Sequence, residues 1–301
     1  YRSTTRDVKQ LLEELSEQEI EGVVVDLRNN GGGSLQEAYE LFGLFIPRGP
    51  VVQIQSAGGR TDVRGDRDPS ISWEGPMSVL VNRLSASASE IFAGAVQDYG
   101  RGLVIGSQTF GKGTVQALLP VNEGQLKLTI AKFYRISGQS TQHQGVIPDI
   151  QFPSAFDPTE IGESALDTAL PWDQIRSLRY RPIDTPQARL AQLIDRHQAR
   201  IATDPDFKAL LKRTERALEL SGETGISLHL ETRIQEREAN NQALLDIENM
   251  RRESLGLETA QSISELEAAA KEDDVSSDAS LMESARILLD EIQINRRLAG
   301  L

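Results

Sequence analysis

The sequence contains no cysteine, and this absence excludes disulfide bonds, zinc sites built on thiolates and cysteine nucleophiles. Histidine is also scarce, and His143, His197 and His229 are scattered without the spacing of metal ligands. No apolar run approaches the roughly 20 residues that a helix needs to cross a bilayer, so we expect no membrane span in this chain. No residue pattern indicates a metal or another cofactor.

Negative charge dominates the chain, whose net charge is −13 at pH 7. Residues 1–150 carry 14 basic and 17 acidic groups and residues 151–301 carry 18 and 28, so the second half holds −10 of that charge. Binding to nucleic acid through its phosphates needs a basic face, and we therefore expect no nucleic-acid partner. A chain of 301 residues is long enough for two domains, and we expect each to have its own core.

The first candidate for chemistry is a serine-rich stretch, residues 83–92, between a predicted strand at 76–81 and a predicted helix. A serine at such a junction has its hydroxyl at the edge of a sheet and the following amides at a helix N-terminus, where a developing oxyanion is favoured. The same pattern is typical of a serine that only caps a helix. Turn chemistry alone does not rank Ser85, Ser87 and Ser89.

The second candidate is the glycine turn at residues 31–33, which follows a predicted buried strand at 23–27. A helix is expected directly after it, with Ser34 as its cap and Glu37 three residues on. Glycine lets the backbone approach another group closely, which suits an anion-binding turn. A flexible connector is the alternative.

The rest of the first half is predicted to consist mainly of strands. Strands are expected at residues 50–55, 103–106, 114–120, 125–136 and 145–150. Residues 125–130 alternate polar and apolar side chains and are expected to be half-buried, and Pro148 is expected to place the last strand at an edge. Residues 57–69 are expected to form a polar loop.

Lys112 lies between two glycines and allows two interpretations. Residues 106–112 match the beginning of a phosphate-binding loop, but Gly113 replaces the magnesium-binding hydroxyl residue and a strand follows instead of a helix. In the other interpretation Lys112 is the base that accepts a proton from a serine, as in serine–lysine dyads. That role needs burial to lower the pKa of its amine, and a surface lysine in a glycine turn is the ordinary alternative.

Four motifs in this order and spacing resemble the C-terminal processing peptidases. They lie at residues 26–33, 85–91, 109–116 and 145–149. The resemblance implies an α/β protease core of the ClpP/crotonase-like type followed by an α-helical C-terminal domain. It also implies a serine endopeptidase with a Ser-Lys dyad and no cofactor or metal. The second half, around residues 169–173, resembles one branch of that family found in Gram-negative bacteria.

The resemblance selects one of the three serines. The family's nucleophile lies 25 residues before its lysine, which here is Ser87 paired with Lys112. Gln116 falls where the family has a glutamine that assists the lysine. The other implied positions are the oxyanion hole, at Gly32 or Gly33 together with Ala88, and the supporting residues Glu90, Asp98 and Thr109.

The resemblance also implies partners and a location. The expected substrates are periplasmic proteins with apolar, poorly structured C-termini. The family carries a PDZ domain upstream that captures such tails by strand addition. Because the chain begins at Tyr1 and no such domain precedes the first unit of the predicted core, a helix at residues 6–18 and the strand at 23–27, we expect a fragment or processed form that lacks substrate capture.

We expect a protease core at residues 1–155, a linker at 156–185 and a helical domain at 186–301. Four helices are predicted there, one of them with ion pairs of Arg233 with Glu236 and Glu248 with Arg252, and residues 271–280 are expected to be mobile. The helical domain is expected to pack on the core, or to bind an adaptor protein. Two rival functions remain at this point: a non-catalytic scaffold on a protease fold, and a nucleotide-binding protein.

Overall fold

The structure is a computed structural model and describes residues 3–298 and 300, apart from residues 185, 224 and 270–274. Its helices are α1 (Thr4–Ser16), α2 (Leu35–Gly43), α3 (Ala88–Tyr99), α4 (Gln187–Ile201), α5 (Pro205–Ser221), α6 (Leu230–Ser254), α7 (Ile263–Ala269) and α8 (Ala279–Leu298). Its strands are β1 (Val23–Asp26), β2 (Gly49–Ser56), β3 (Thr61–Asp66), β4 (Met77–Val81), β5 (Leu103–Gly106), β6 (Thr114–Val121), β7 (Gly124–Arg135) and β8 (Ile150–Gln151).

Four parallel strands form one sheet in the order β1-β4-β5-β8. Val25 lies opposite Val79, which lies opposite Val104, so the β-branched runs of three strands stand side by side. The strands predicted at these three places are confirmed. The strand expected at residues 145–150 contains only Ile150 and Gln151, although it does lie at the edge of the sheet.

Helices cover both faces of this parallel sheet. Val79 packs in a core with Phe42 of α2, whereas Leu80 packs on the opposite face with Leu193 of α4 and Ile287 of α8. Because a parallel sheet must be covered on both faces, the helical second half shares a core with the first half. The buried residues of the core around Phe42 all lie in the first half, whereas the core around Leu193 is shared by both halves.

The second sheet is antiparallel, with the order β3-β2-β7-β6; α3 contacts both sheets, and α2 contacts β2 and β3. β3 lies within the stretch expected to be a loop, because polar side chains obscure a strand that pairs with β2 along its length. The strand expected at 125–130 is present as part of β7, but its expected half-burial is wrong, since Leu126, Leu128 and Ile130 are 45–49% exposed. The distal part of the β6–β7 hairpin is exposed on both faces.

The second half is helical, as expected, but its details differ from the prediction. α4, α5, α6 and α8 match the four predicted helices, and α7 is an additional one. Arg233 does pair with Glu236. Glu248 pairs with Arg213 and Arg251 instead of Arg252.

Residues 152–184 contain one 3-10 turn, Glu163–Ala165, and otherwise irregular backbone with one isolated bridge. They lie along the first half through backbone hydrogen bonds such as that from Leu178 N to Ile136 O (2.9 Å). The domain limits at residues 155 and 185 stay predictions.

Of the segment expected to be mobile, residues 271–274 lie outside the described residues, and Val275–Ser277 form a 3-10 turn before α8. Within the described part of the chain, no helix has the length and apolar character to cross a membrane.

Candidate active site

Ser87 occupies the turn between β4 and α3, at the N-terminus of the helix. Its backbone has φ 58° and ψ −109°, whereas a serine that simply caps a helix is normally extended. A positive φ at a residue other than glycine costs of order 1–3 kcal/mol and is found where a fold constrains it, often at functional sites. The backbone conformation of Ser87 thus differs from that of an ordinary helix cap, although the Glu90 carboxylate accepts from Ser87 N as in a capping box.

The structure separates Ser87 from the two neighbouring serines, which the sequence pattern did not rank. The hydroxyl of Ser85 is fully buried and donates to Leu27 O (2.8 Å). The hydroxyl of Ser89 is also buried and donates to Asn30 O (2.9 Å). Ser85 therefore ties the β4–α3 turn, and Ser89 ties α3, to the segment that follows β1, while the half-buried Ser87 borders a cavity.

The glycine turn passes directly over this serine. A Cβ on Gly32, whose φ is +97°, would lie 2.7 Å from Ala86 O and 2.8 Å from Ser87 Cβ, so only glycine fits there. The Gly32 amide donates to Asn30 Oδ1 (3.0 Å). Among the described residues, the amides of Gly33 and Ala88 have no hydrogen-bond acceptor. Gly33 and Ala88 are therefore free to bind an oxyanion, as is Gly31 beside the same cavity, whose amide also has no acceptor among the described residues.

Lys112 lines the same cavity, whose volume is ≈ 410 Å³. Its side chain is half-buried and forms no salt bridge within the described part of the chain. Burial, followed by the positive charge of Lys127, lowers the pKa of the Lys112 amine, against the smaller opposing effect of Glu163 and Glu90. The turn at residues 111–113 leads directly into β6, so no helix begins there whose N-terminus could bind a phosphate. The arrangement suits a base and not a nucleotide site.

Glu90 joins the serine turn to the lysine turn. Its fully buried carboxylate accepts hydrogen bonds from four donors, three of them backbone amides and one a hydroxyl. They are Ser87 N (2.7 Å), Gly111 N (2.7 Å), Lys112 N (2.9 Å) and Thr109 Oγ1 (2.6 Å). Burial raises the pKa of Glu90 to about 7, and the four donors oppose that rise. Glu90 and Thr109 thus connect the backbones of both candidate catalytic residues.

The other two expected residues differ in their placement. Gln116 is exposed on β6 and borders the cavity, so it is within the site. Asp98 is at the far end of α3, where its carboxylate accepts from Arg135 Nη2 (2.6 Å) and Ser137 Oγ. Its described contacts belong to the α3–β7 contact and do not reach the cavity.

The sequence did not predict the roles of Arg83 and Glu163, two buried residues that connect the active-site turns to the segment at 158–163. Arg83 is 2% exposed, and its guanidinium donates to the carbonyl oxygens of Thr109, Ile161 and Pro158. Glu163 N donates to Phe110 O (3.0 Å). The segment at 158–163, which was expected to be a linker, is therefore fastened to both active-site turns. A buried arginine with only carbonyl acceptors has no signature in the sequence.

We predict that Gly162→Ala lowers kcat by up to ~100-fold, because small displacements of catalytic groups are that costly. Gly162 has φ +145°, and a Cβ there would lie 2.1 Å from Arg83 Nη2. The guanidinium would move and release the carbonyl of Thr109. Steady-state kinetics on a peptide substrate, with thermal unfolding alongside, measures the effect.

Gly59→Ala is the matched control, since Gly59 also has a positive φ (+80°) but no atom within 4 Å of the added Cβ. Equal kcat values for the two variants would show that the segment at 158–163 does not position the site.

The chain is similar to known proteins along most of its length. Residues 1–152 match the model of peptidase family S41. The chain belongs to peptidase family S41. Residues 156–293 match the C-terminal domain of tail specific protease, so this S41 chain carries both parts in the expected order. The resemblance to the C-terminal processing peptidases, and the α/β core with a helical C-terminal half, are confirmed.

Relatives of this S41 chain include the tail-specific protease of Haemophilus influenzae, 41% identical over 98% of this chain and 44% of that protein. The carboxy-terminal-processing protease of Bartonella bacilliformis is 41% identical over 48% of this chain and 33% of that protein. The solved structure of the photosystem II D1 C-terminal processing protease is 38% identical, with a TM-score of 0.47. The match covers 52% of this chain and 40% of that protein's chain. The S41 chain thus spans less than half the length of these relatives.

Proposed function

We propose that this chain is the catalytic part of a serine endopeptidase in which Ser87 and Lys112 form the dyad. The observation that carries the proposal is one cavity that brings together the strained Ser87, the free amides of Gly33 and Ala88, and an amine that forms no salt bridge within the described residues. These are the nucleophile, the oxyanion donors and the base that acyl transfer needs. Gln116 borders the same space and is available to orient the amine.

The reaction proceeds in two halves. The neutral Lys112 amine takes the Ser87 proton as Oγ attacks the peptide carbonyl, and the amides of Gly33 and Ala88 bind the oxyanion. The lysine ammonium then gives that proton to the departing amine, which leaves an acyl ester on Ser87. Water, deprotonated by Lys112, hydrolyses the ester and regenerates both side chains.

Covalent labelling tests this assignment. We predict that a fluorophosphonate labels the folded protein at Ser87, as located by peptide mapping, and that labelling increases with pH as Lys112 loses its proton. Ser87→Ala should not be labelled. Label on Ser85 or Ser89 would overturn the choice of nucleophile, and a folded protein that takes no label would favour the non-catalytic scaffold.

The proposed substrates are proteins with apolar C-terminal tails. The cavity supports this choice because four of its lining side chains are apolar and larger than alanine, and an apolar side chain of a substrate is bound best by such a wall. The four are Leu35, Ile91, Val115 and Phe133. Cleavage of a peptide with an acidic tail as fast as one with an apolar tail would contradict the proposal.

A periplasmic location is proposed from the family alone. Fractionation of cells carrying the intact protein tests it.

An adaptor protein is proposed to bind near the start of α6, where Ile226, Leu228 and Leu230 are 69–98% exposed. Undiminished recovery of partner proteins by the double variant Ile226→Glu, Leu230→Glu would remove the adaptor proposal.

A further inference from the structure

One edge of the antiparallel sheet leads directly out of the active-site cavity. β6 is the last strand in the order β3-β2-β7-β6, so within the described residues only its β7 side is paired. The strand begins two residues after Lys112, and its first three residues, Thr114, Val115 and Gln116, line the cavity. A polypeptide leaving the cavity along this strand would meet an unpaired edge.

The register identifies which backbone groups face that edge. The β6–β7 turn has two residues, so Val121 and Gly124 form the hydrogen-bonded pair that closes it. In an antiparallel ladder every second residue bonds to the partner strand, and the residues between direct both N–H and C=O away from it. Counting back from the turn, the outward residues are Pro120, Leu118 and Gln116.

Pro120 supports this assignment, because proline has no N–H and is tolerated in a strand only where that position faces away from the ladder. The position of Pro120 also limits the length of β6 along which a second strand can form hydrogen bonds. Gln116 and Leu118 each present a donor and an acceptor, and beyond Leu118 the donors stop. The edge is therefore a short docking segment beside the cavity and not a template along which whole sheets pair.

The side chains beside this edge indicate an apolar occupant. Leu118 is 62% exposed and lies on the same face of β6 as Gln116. The cross-strand neighbour of Leu118 is Lys127, which also lines the cavity. In the hairpin at residues 114–130, the only acidic residue is Glu123, which lies in the turn. An extended segment lying along β6 therefore meets no acidic side chain of this hairpin before the turn.

We propose that the free edge of β6, at Gln116 and Leu118, is the docking strand for an extended segment of the protein substrate. The segment adds to the antiparallel sheet as a fifth strand, with its reacting peptide in the cavity beside Ser87. Backbone hydrogen bonds then provide affinity independent of sequence, and Leu118 adds a preference for apolar side chains. This proposal rests on the proposed function and deepens it.

The direct test changes only the backbone donor of the edge. Leu118→Pro removes an N–H that does not belong to the β6–β7 ladder, and Leu118→Ala is the matched control that removes the side chain alone. The readout is the affinity of a short fluorescein-labelled peptide of alanine, leucine and valine for each variant, made in a Ser87→Ala background so that nothing is cleaved. We expect Leu118→Pro to bind about 3- to 10-fold more weakly than Leu118→Ala, the effect of one lost hydrogen bond. Equal affinities of the two variants, with both folded by circular dichroism, would overturn the proposal.

A second measurement leaves the protein unchanged, which keeps the proposal testable if the proline variant unfolds. The same peptide is N-methylated at one amide at a time, and each version is titrated against the Ser87→Ala protein. Strand addition predicts weak binding for every second methylated amide along the segment beside β6. Uniform losses, or none, would contradict the docking strand.

These outcomes separate the docking strand from the proposed function. A period-two pattern in a protein that never cleaves peptides would keep the docking strand and remove the catalytic proposal. Normal cleavage with no effect of Leu118→Pro or of N-methylation on binding would keep the catalytic proposal and remove the docking strand.

Discussion

Lys112→Met is expected to lower kcat/KM for an apolar peptide by about 10²–10⁴-fold, the usual effect of removing a general base. Methionine keeps the length and apolar body of the side chain, so packing in the half-buried position is preserved while the amine is lost. The fold depends little on this amine, since it forms no salt bridge within the described residues. Steady-state kinetics with the purified variant measure kcat/KM. Unfolding curves of the same variant measure its stability.

The pH dependence identifies the lysine as the base. The neutral amine is the active form, so kcat/KM of the unmodified protein should rise with pH through the pKa of Lys112, which burial and Lys127 lower from its ordinary range. Lys127→Met is the matched control in the same cavity. It removes a positive charge that favours the neutral amine, so the pKa of Lys112 should rise and the rate profile should move to higher pH. A Lys112→Met variant with the same profile as the unmodified protein would exclude Lys112 as the base.

Local patterns in the sequence predicted much of this fold. The β-branched runs of β1, β4 and β5 and the apolar periodicity of α3 depend on side chains that are neighbours in the chain. Ser34 was predicted as the cap of α2, and its hydroxyl does accept from Glu37 N (3.3 Å). The reciprocal half of that capping box is absent, because the Glu37 carboxylate accepts from Thr5 N and Oγ1 of α1 instead. A partner 32 residues away overrode the local preference.

The active site shows the same division between local and distant contacts. The sequence pattern placed a serine at the strand–helix turn, and spacing within the resembled family selected Ser87. Neither distinguishes Gly32 from Gly33, because the decisive contact is the side chain of Asn30 on the Gly32 amide. The roles of Arg83 and Glu163 depend on segments 21 or more residues apart in sequence that meet only after folding. β3 was missed because its polar residues pair on an exposed edge, where hydrophobic alternation is not required.

Glu90→Gln is expected to lower both activity and stability, because its carboxylate faces four donors and no acceptor. An amide must turn its NH₂ group toward two of them, either the amides of Ser87 and Lys112 or the Gly111 amide and the Thr109 hydroxyl. Each buried donor left without an acceptor costs about 1–3 kcal/mol. We expect kcat to fall by up to ~100-fold as the two turns separate, with a lower free energy of unfolding measured by urea titration.

Glu283→Gln is the matched control for burial. Glu283 is 1% exposed and accepts from Arg200, and its described contacts lie on α4 and α8, away from the cavity. This variant should lose stability but keep kcat, so a kcat loss in Glu90→Gln alone reports on the positions of Ser87 and Lys112. Equal kcat losses in both variants would mean that general destabilisation explains the result.

The dependence of unfolding on pH distinguishes the two carboxyl groups further. The pKa of folded Glu90 is raised to about 7 from 4.5, so its contribution to stability is full below pH 4.5 and is lost as the pH rises through 7. The pKa of Glu283 is lowered by its hydrogen bonds to His197 and Arg200, which outweigh the opposing effect of burial, so its contribution is present above pH 4.5 and is lost as the pH falls. Glu90→Gln should therefore flatten the decline in stability between pH 4.5 and 7 that Glu283→Gln leaves in place. If the decline persists unchanged in Glu90→Gln, the four donors hold Glu90 ionised throughout, and it acts as a permanent anion that fastens the serine turn to the lysine turn.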